Sequence, residues 1–181
     1  MKSKFVTTVM TACIAALLSF PVLAQEDALK AFPGYVDFGE LNSMFGDPTV
    51  QISVGQSLLG LVASLSAEED PEAAALFSRL YGVRVNVFET EAMVDGAIER
   101  VKDVSSRLSK LGWESVVTVN SDEEQVRVFM MINNNQVEGI TVMALEEDEA
   151  VFVNVIGNIN PEELSRVMKN FDIDVNDIEI N

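Results

Sequence analysis

The sequence predicts an α+β domain, with helices packed on a largely antiparallel sheet. Three observations predict it. After residue 112, four segments of apolar alternation follow one another with short polar connections, the spacing of a four-strand meander. A single apolar stripe, Val94, Ile98, Val101, Val104, Leu108 and Leu111, recurs in steps of four and three and marks a long helix lying on a sheet. Between residues 49 and 90, strand periodicity gives way to helix periodicity and then returns. The expected order is β-α-α-β-α-β-β-β-β-α.

The elements follow in turn. Gln25 to Phe32 is a polar lead with room for one helical turn, and Pro33-Gly34 marks a turn. Tyr35 to Gly39 alternates apolar and polar, and Met44 to Pro48 closes this aromatic entry. Thr49 to Val54 reads as a strand and Gly55 to Leu65 as a helix. Asp70 and Pro71 suit the N-cap and first position of the next helix, which carries Ala73, Leu76, Phe77 and Leu80 and ends at Gly82. The acids at 68–72 favour the positive end of its dipole. Gly82 to Phe88 is a strand with one wet face. Thr90 caps the long helix, and Gly112 ends it.

The meander strands are Trp113 to Val119, Val126 to Ile132, Gly139 to Leu145 and Ala150 to Ile156. Asn160 and Pro161 open a last helix with Leu164, Val167, Met168 and Phe171 on one face. Residues 172–181 alternate acids with Ile173, Val175, Ile178 and Ile180, as an edge strand or a loose tail.

Both faces of the meander look apolar. Val126, Val128, Met130 and Ile132 share one face, while Phe129 and Met131 occupy the other, with Met143 and Phe152. Both faces therefore need cover. The helices within residues 55–80 are expected to lie over Phe129, Met131, Met143 and Phe152, which leaves a monomer. A dimer through the sheet face is the alternative.

The N-terminus sets the compartment. Lys2 and Lys4 precede an apolar run from Phe5 to Phe20, Pro21 breaks it, and Val22-Leu23-Ala24 offers small residues to a peptidase. Residues 1–24 are expected to be a signal peptide, leaving residues 25–181 as one domain. Its core is 32–175, with 176–181 as a tail. The run is short of the roughly 20 apolar residues that span a bilayer, so no stable membrane anchor is expected after cleavage. Cys13 lies inside the apolar run rather than at its end, which argues against lipidation.

The chain has no His, and its single Cys is Cys13. The mature part therefore lacks the residues of Ser-His-Asp and Cys-His triads and of the usual zinc sites. Loss of Lys2 and Lys4 takes the formal charge from −17 to −19. Such a surface repels nucleic acid. Gly55 and Gly60 have the spacing that begins a P-loop, but Leu61-Val62 follows instead of Lys-Ser or Lys-Thr. Asp172, Asp174 and Asn176 resemble the start of an EF-hand, yet Asp177 replaces the obligatory glycine. The turn acids Asp122 to Glu124 and Glu146 to Glu149 read as solvated turns. Ser105, Ser106, Ser109 and Lys110 lie on an ordinary helix face. Tyr35, Phe38, Phe45, Tyr81, Phe88 and Trp113 read as core rather than as a ligand site.

The Pro33-Gly34-Tyr35-Val36-Asp37-Phe38 entry, the strand and helix of Val50 to Leu65, and the ending Phe152 to Ile159 followed by Pro161-Glu162-Glu163-Leu164 carry a resemblance. Together with the signal peptide they resemble a family of small exported bacterial proteins described as a domain of unknown function, family 4252. The resemblance covers most of residues 30–175. It implies export from a bacterial cell and carries no catalytic residues to transfer. The expected function is a periplasmic or secreted, non-enzymatic binding protein, with no cofactor and no catalytic or metal site. Its partner is an envelope or extracellular protein or ligand. The alternative is a carboxylate-dependent hydrolase acting on envelope polymers, since glycosidases need only two acids at the right separation.

Overall fold

The computed structural model describes residues 27–39, 41–90, 96–121 and 124–161. The elements are α1 (Leu41–Phe45), β1 (Val50–Gly55), α2 (Gln56–Ser66), α3 (Pro71–Ser78), β2 (Leu80–Glu89), α4 (Ala97–Lys110), β3 (Trp113–Asn120), β4 (Glu124–Asn133), β5 (Gln136–Glu146) and β6 (Glu149–Ile159). The expected signal peptide, Val94 of the expected stripe, the helix expected after Pro161 and the expected tail lie outside the described residues.

The six strands form one sheet in the order β1-β2-β6-β5-β4-β3, with every neighbouring pair antiparallel. The expected α+β class and meander are both present. The chain leaves β2, crosses the sheet through α4 to the far edge, and walks back hairpin by hairpin until β6 pairs with β2. The tight β4–β5 turn uses Asn134 and Asn135 at φ 48° and 62°. Two successive left-handed residues give the turn whose twist matches that of the strands.

Local chemistry explains most boundaries. Asp70 accepts a hydrogen bond from the Ala73 amide at 2.9 Å and Pro71 occupies the first turn of α3, as expected. That helix ends earlier than the sequence suggested. Leu80 and Gly82 belong to β2, so Gly82 caps nothing. It is small because a Cβ there would come within 2.6 Å of the Leu29 side chain. Thr90 does not cap α4. Its amide donates to Asp148 O and its hydroxyl to Glu147 O, which ties the end of β2 to the β5–β6 turn. The N-cap of α4 is Gly96, and Gly112 at φ 91° ends the helix. Leu111 turns outward and is exposed, so the buried stripe stops at Leu108.

One face of the sheet is closed. Ala97, Val101, Val104 and Leu108 of α4 cover its β3–β5 half. Val36, Phe38, Leu41 and Phe45 cover its β2–β6 half, with Phe45, Phe88 and Phe152 in mutual ring contact and Phe38 against Phe152. Phe129, Met143 and Phe152 are buried here and Met131 is partly buried. The expectation that residues 55–80 cover these four is therefore corrected. The crossover from β2 to β3 puts the most one-sided helix, α4, over this face. The α2 and α3 helices pack on the opposite face, where Leu59, Leu76 and Phe77 cover Val54, Val83, Val155 and Ile140 at one end of the strands.

Candidate interaction face

The sheet register generates the second face row by row. On it, Val54, Val83, Val155 and Ile140 lie side by side beneath α2 and α3. The next row toward the other end is Ile52, Val85, Val153, Val142, Val128 and Val117. The row after it is Val50, Val87, Val151, Ala144, Val126 and Val119. Each of these two rows crosses all six strands without a polar residue. None of the twelve side chains is buried; Val50, Ile52 and Val119 are 42%, 43% and 36% exposed. On the closed face the central-strand positions Arg84, Phe152, Asn154, Thr141, Met143, Arg127 and Phe129 are buried, while edge positions such as Gln51 and Thr118 are exposed.

A fourth row is wholly acidic. Glu89 stands opposite Glu149, and Glu124 opposite Glu146, at the end remote from α2 and α3. Like charges placed directly across a sheet are unfavourable. The face thus has three zones: helix-covered, open aliphatic, and acidic.

The α2 helix extends the apolar character. Its sequence, QSLLGLVASLS, holds no charge, and only Leu59 and Ala63 are buried. Leu58, Leu61 and Leu65, at steps of three and four, are 50%, 53% and 73% exposed. Gln56, Ser57 and Ser64 are the polar residues exposed among them. Contiguous exposed apolar patches of this extent mark interaction surfaces.

The closed face carries a second feature. Asn154 accepts from the Val36 amide at 2.9 Å and donates to Gly34 O at 2.9 Å. Its cross-strand partner Arg84 donates to Val36 O at 3.0 Å and lies 4.7 Å beneath the Tyr35 ring. Beside this clamp is an open cleft of about 450 Å³, lined by Tyr35, Asp37, Asn42, Gln51, Arg84 and Asn86 among others. Elsewhere, burial lowers the pKa of the Arg127 guanidinium, which is held by Val119 O, Val126 O and Asn120 Oδ1.

The sequence-predicted candidates do not converge. Phe38, Phe88 and Trp113 are core, and Phe45 packs against it. Tyr35 stacks on Arg84 and Tyr81 on Phe32, 4.4 Å between centroids. Asp122 and Glu123 lie outside the described residues. Among the described residues, no three His, Cys, Asp or Glu are placed to hold a metal ion. Ser105 donates to Val101 O within its own helix. The described helices include none long and apolar enough to cross a membrane. Sequence reasoning found both faces apolar but not the face that stays open. The signal was present as alternate valines in β1, β2 and β6, and required the register to be read.

Fold and surface together define an α+β domain with one closed and one open apolar sheet face. The family model described as a domain of unknown function (DUF4252) matches residues 45–167, and the chain belongs to that family. The match takes in every strand and the open face, while the entry residues 34–41 that help close the other face precede it. No curated protein matches the chain.

Proposed function

We propose that this protein is an exported, non-enzymatic interaction module, working in the periplasm or outside the cell, whose binding surface is the open sheet face. One observation carries the reading. Two rows of aliphatic side chains cross six strands in register and are left uncovered, beside a helix with three exposed leucines. Leaving such a surface wet forgoes roughly 25 cal/mol for every Å² that a partner would cover. The acid-rich remainder of the chain keeps it dispersed in water. The glutamate row sits at an open rim rather than in a pocket, so it offers no enclosed site for carboxylate-dependent hydrolysis.

Export is tested by mass spectrometry of protein from the native host, where the mature N-terminus should be Gln25. An intact Met1, or diacylglycerol on Cys13, would contradict it. The binding role is tested by comparing photocrosslinking in the envelope from positions Val128 and Lys102. Adducts should form from Val128 on the open face and not from Lys102 on the outer side of α4. Saturable turnover of a glycan or peptide, abolished by a single Asp or Glu substitution, would instead establish an enzyme.

A further inference from the structure

We propose that the occupant of the open face is a second copy of the same chain, packed sheet against sheet about a two-fold axis. The axis lies in the interface and runs across the strands. This inference rests on the interaction-module reading above and names its partner.

Three properties of the face select a second copy. The first is shape. Helices α2 and α3 raise one end of this face over β1, β2, β6 and β5 and leave the rest flat. A helix layer and a packed sheet both stand about 10 Å above a sheet. A partner sheet can therefore lie on the flat part, level with α2 and α3 and in line with them. Reversing the strand direction puts each copy's helices beyond the acidic end of the other, so the two stepped surfaces interlock. Rotation about an axis along the strands would instead stack helices on helices and hold the sheets apart.

The second property is charge. The flat zone has no polar side chain in its two central rows. Its charge lies in the glutamate row at one end, and Glu114, opposite Met130 on the β3 edge, is the further acid on this face. The axis across the strands sets Glu89, Glu149, Glu146 and Glu124 beside the helices of the other copy, of which α2 holds no charge and α3 holds Glu72 alone. An axis along the strands would bring two such rows face to face, a repulsion that like charges at close range impose.

The third is area. With about 4.8 Å between strands and about 6.8 Å between rows, the flat patch measures roughly 400 Å². Two such patches, extended by the exposed leucines of each α2, approach the lower end of the 1,200–2,000 Å² typical of specific interfaces. Short β-branched side chains on both surfaces are the composition of sheet-on-sheet packing.

The test uses residues 25–181, which contain no cysteine. Sedimentation velocity at moderate salt should show a concentration-dependent dimer that disappears in Val153→Glu while circular dichroism stays unchanged. Val119→Cys, at the β3 edge, should then cross-link to itself through a short bis-maleimide, because β3 faces β3 across this axis. Cross-linking only between Val119→Cys and Val50→Cys chains would show the other axis and overturn the geometry. A monomer at every concentration would overturn the second copy. The interaction-module reading would survive that result if Val128 still photocrosslinks a foreign envelope protein, and would fall with it if Val128 gives no adduct.

Discussion

Asn154 and Arg84 stand opposite each other on β6 and β2 and hold one residue from both sides. Asn154 accepts from the Val36 amide, and Arg84 donates to the Val36 carbonyl. Asn154 also donates to Gly34 O and Ile140 O, so a single buried amide ties the entry turn to two strands. This clamp places Phe38 and Leu41 over the closed face, because the chain between residues 34 and 36 cannot slide along the strands. Buried polar groups need such partners; without them each costs about 1–3 kcal/mol.

The clamp predicts that Asn154→Ala is costly. It removes both hydrogen bonds to the entry turn and leaves the Val36 amide without its acceptor. Urea denaturation should show a loss of about 2–4 kcal/mol. Asn158→Ala, at an exposed position, should change stability by less than about 0.5 kcal/mol. Equal losses would mean that the entry segment is held in some other way.

The α4 stripe predicts a contrast between neighbours. Val101 is buried and Lys102 exposed. Val101→Asp places an unpaired charge in the core and should cost about 3–5 kcal/mol. Lys102→Asp should cost under about 0.5 kcal/mol. Similar values for the two would show that α4 presents a different side to the sheet.

The acidic row predicts a stabilising substitution. Glu149→Gln removes a like charge directly opposite Glu89. Stability should rise by about 0.2–1 kcal/mol at low salt. The gain should shrink as added salt screens these exposed groups. A loss of stability at low salt would show that these carboxylates are held by a favourable contact.

Much of the fold was legible because local signals agreed with the global structure. Asp70-Pro71 fixed the start of α3, and the spacing of Val101, Val104 and Leu108 fixed the buried side of α4. The four meander strands followed from alternation alone. Misreadings arose where packing overrides local preference. Gly82 is small because of Leu29, a residue far off in sequence, and not because a helix ends there. Register shifts at Leu80/Gly82 and Val137/Gly139 break the simple two-residue alternation, and Leu80, Val137 and Ile159 join the cluster under α2 and α3. The open face was hidden for the same reason. Val126 and Val87 lie far apart in sequence, and only the strand order places them in one row.

The central claim is that one apolar face is closed within the chain and the other waits for a partner. Val128 and Phe129 test it most directly, since they are adjacent on β4 and point to opposite faces. The measurement is urea denaturation of Val128→Glu and Phe129→Glu at a concentration low enough to keep the chain monomeric. Phe129→Glu should cost more than about 3 kcal/mol, because it buries a charge in the aromatic core. Val128→Glu should cost less than about 1 kcal/mol, the span of strand preference at a wet position. A loss at Val128 as large as that at Phe129 would mean the second face is already buried within the chain, and would contradict the account.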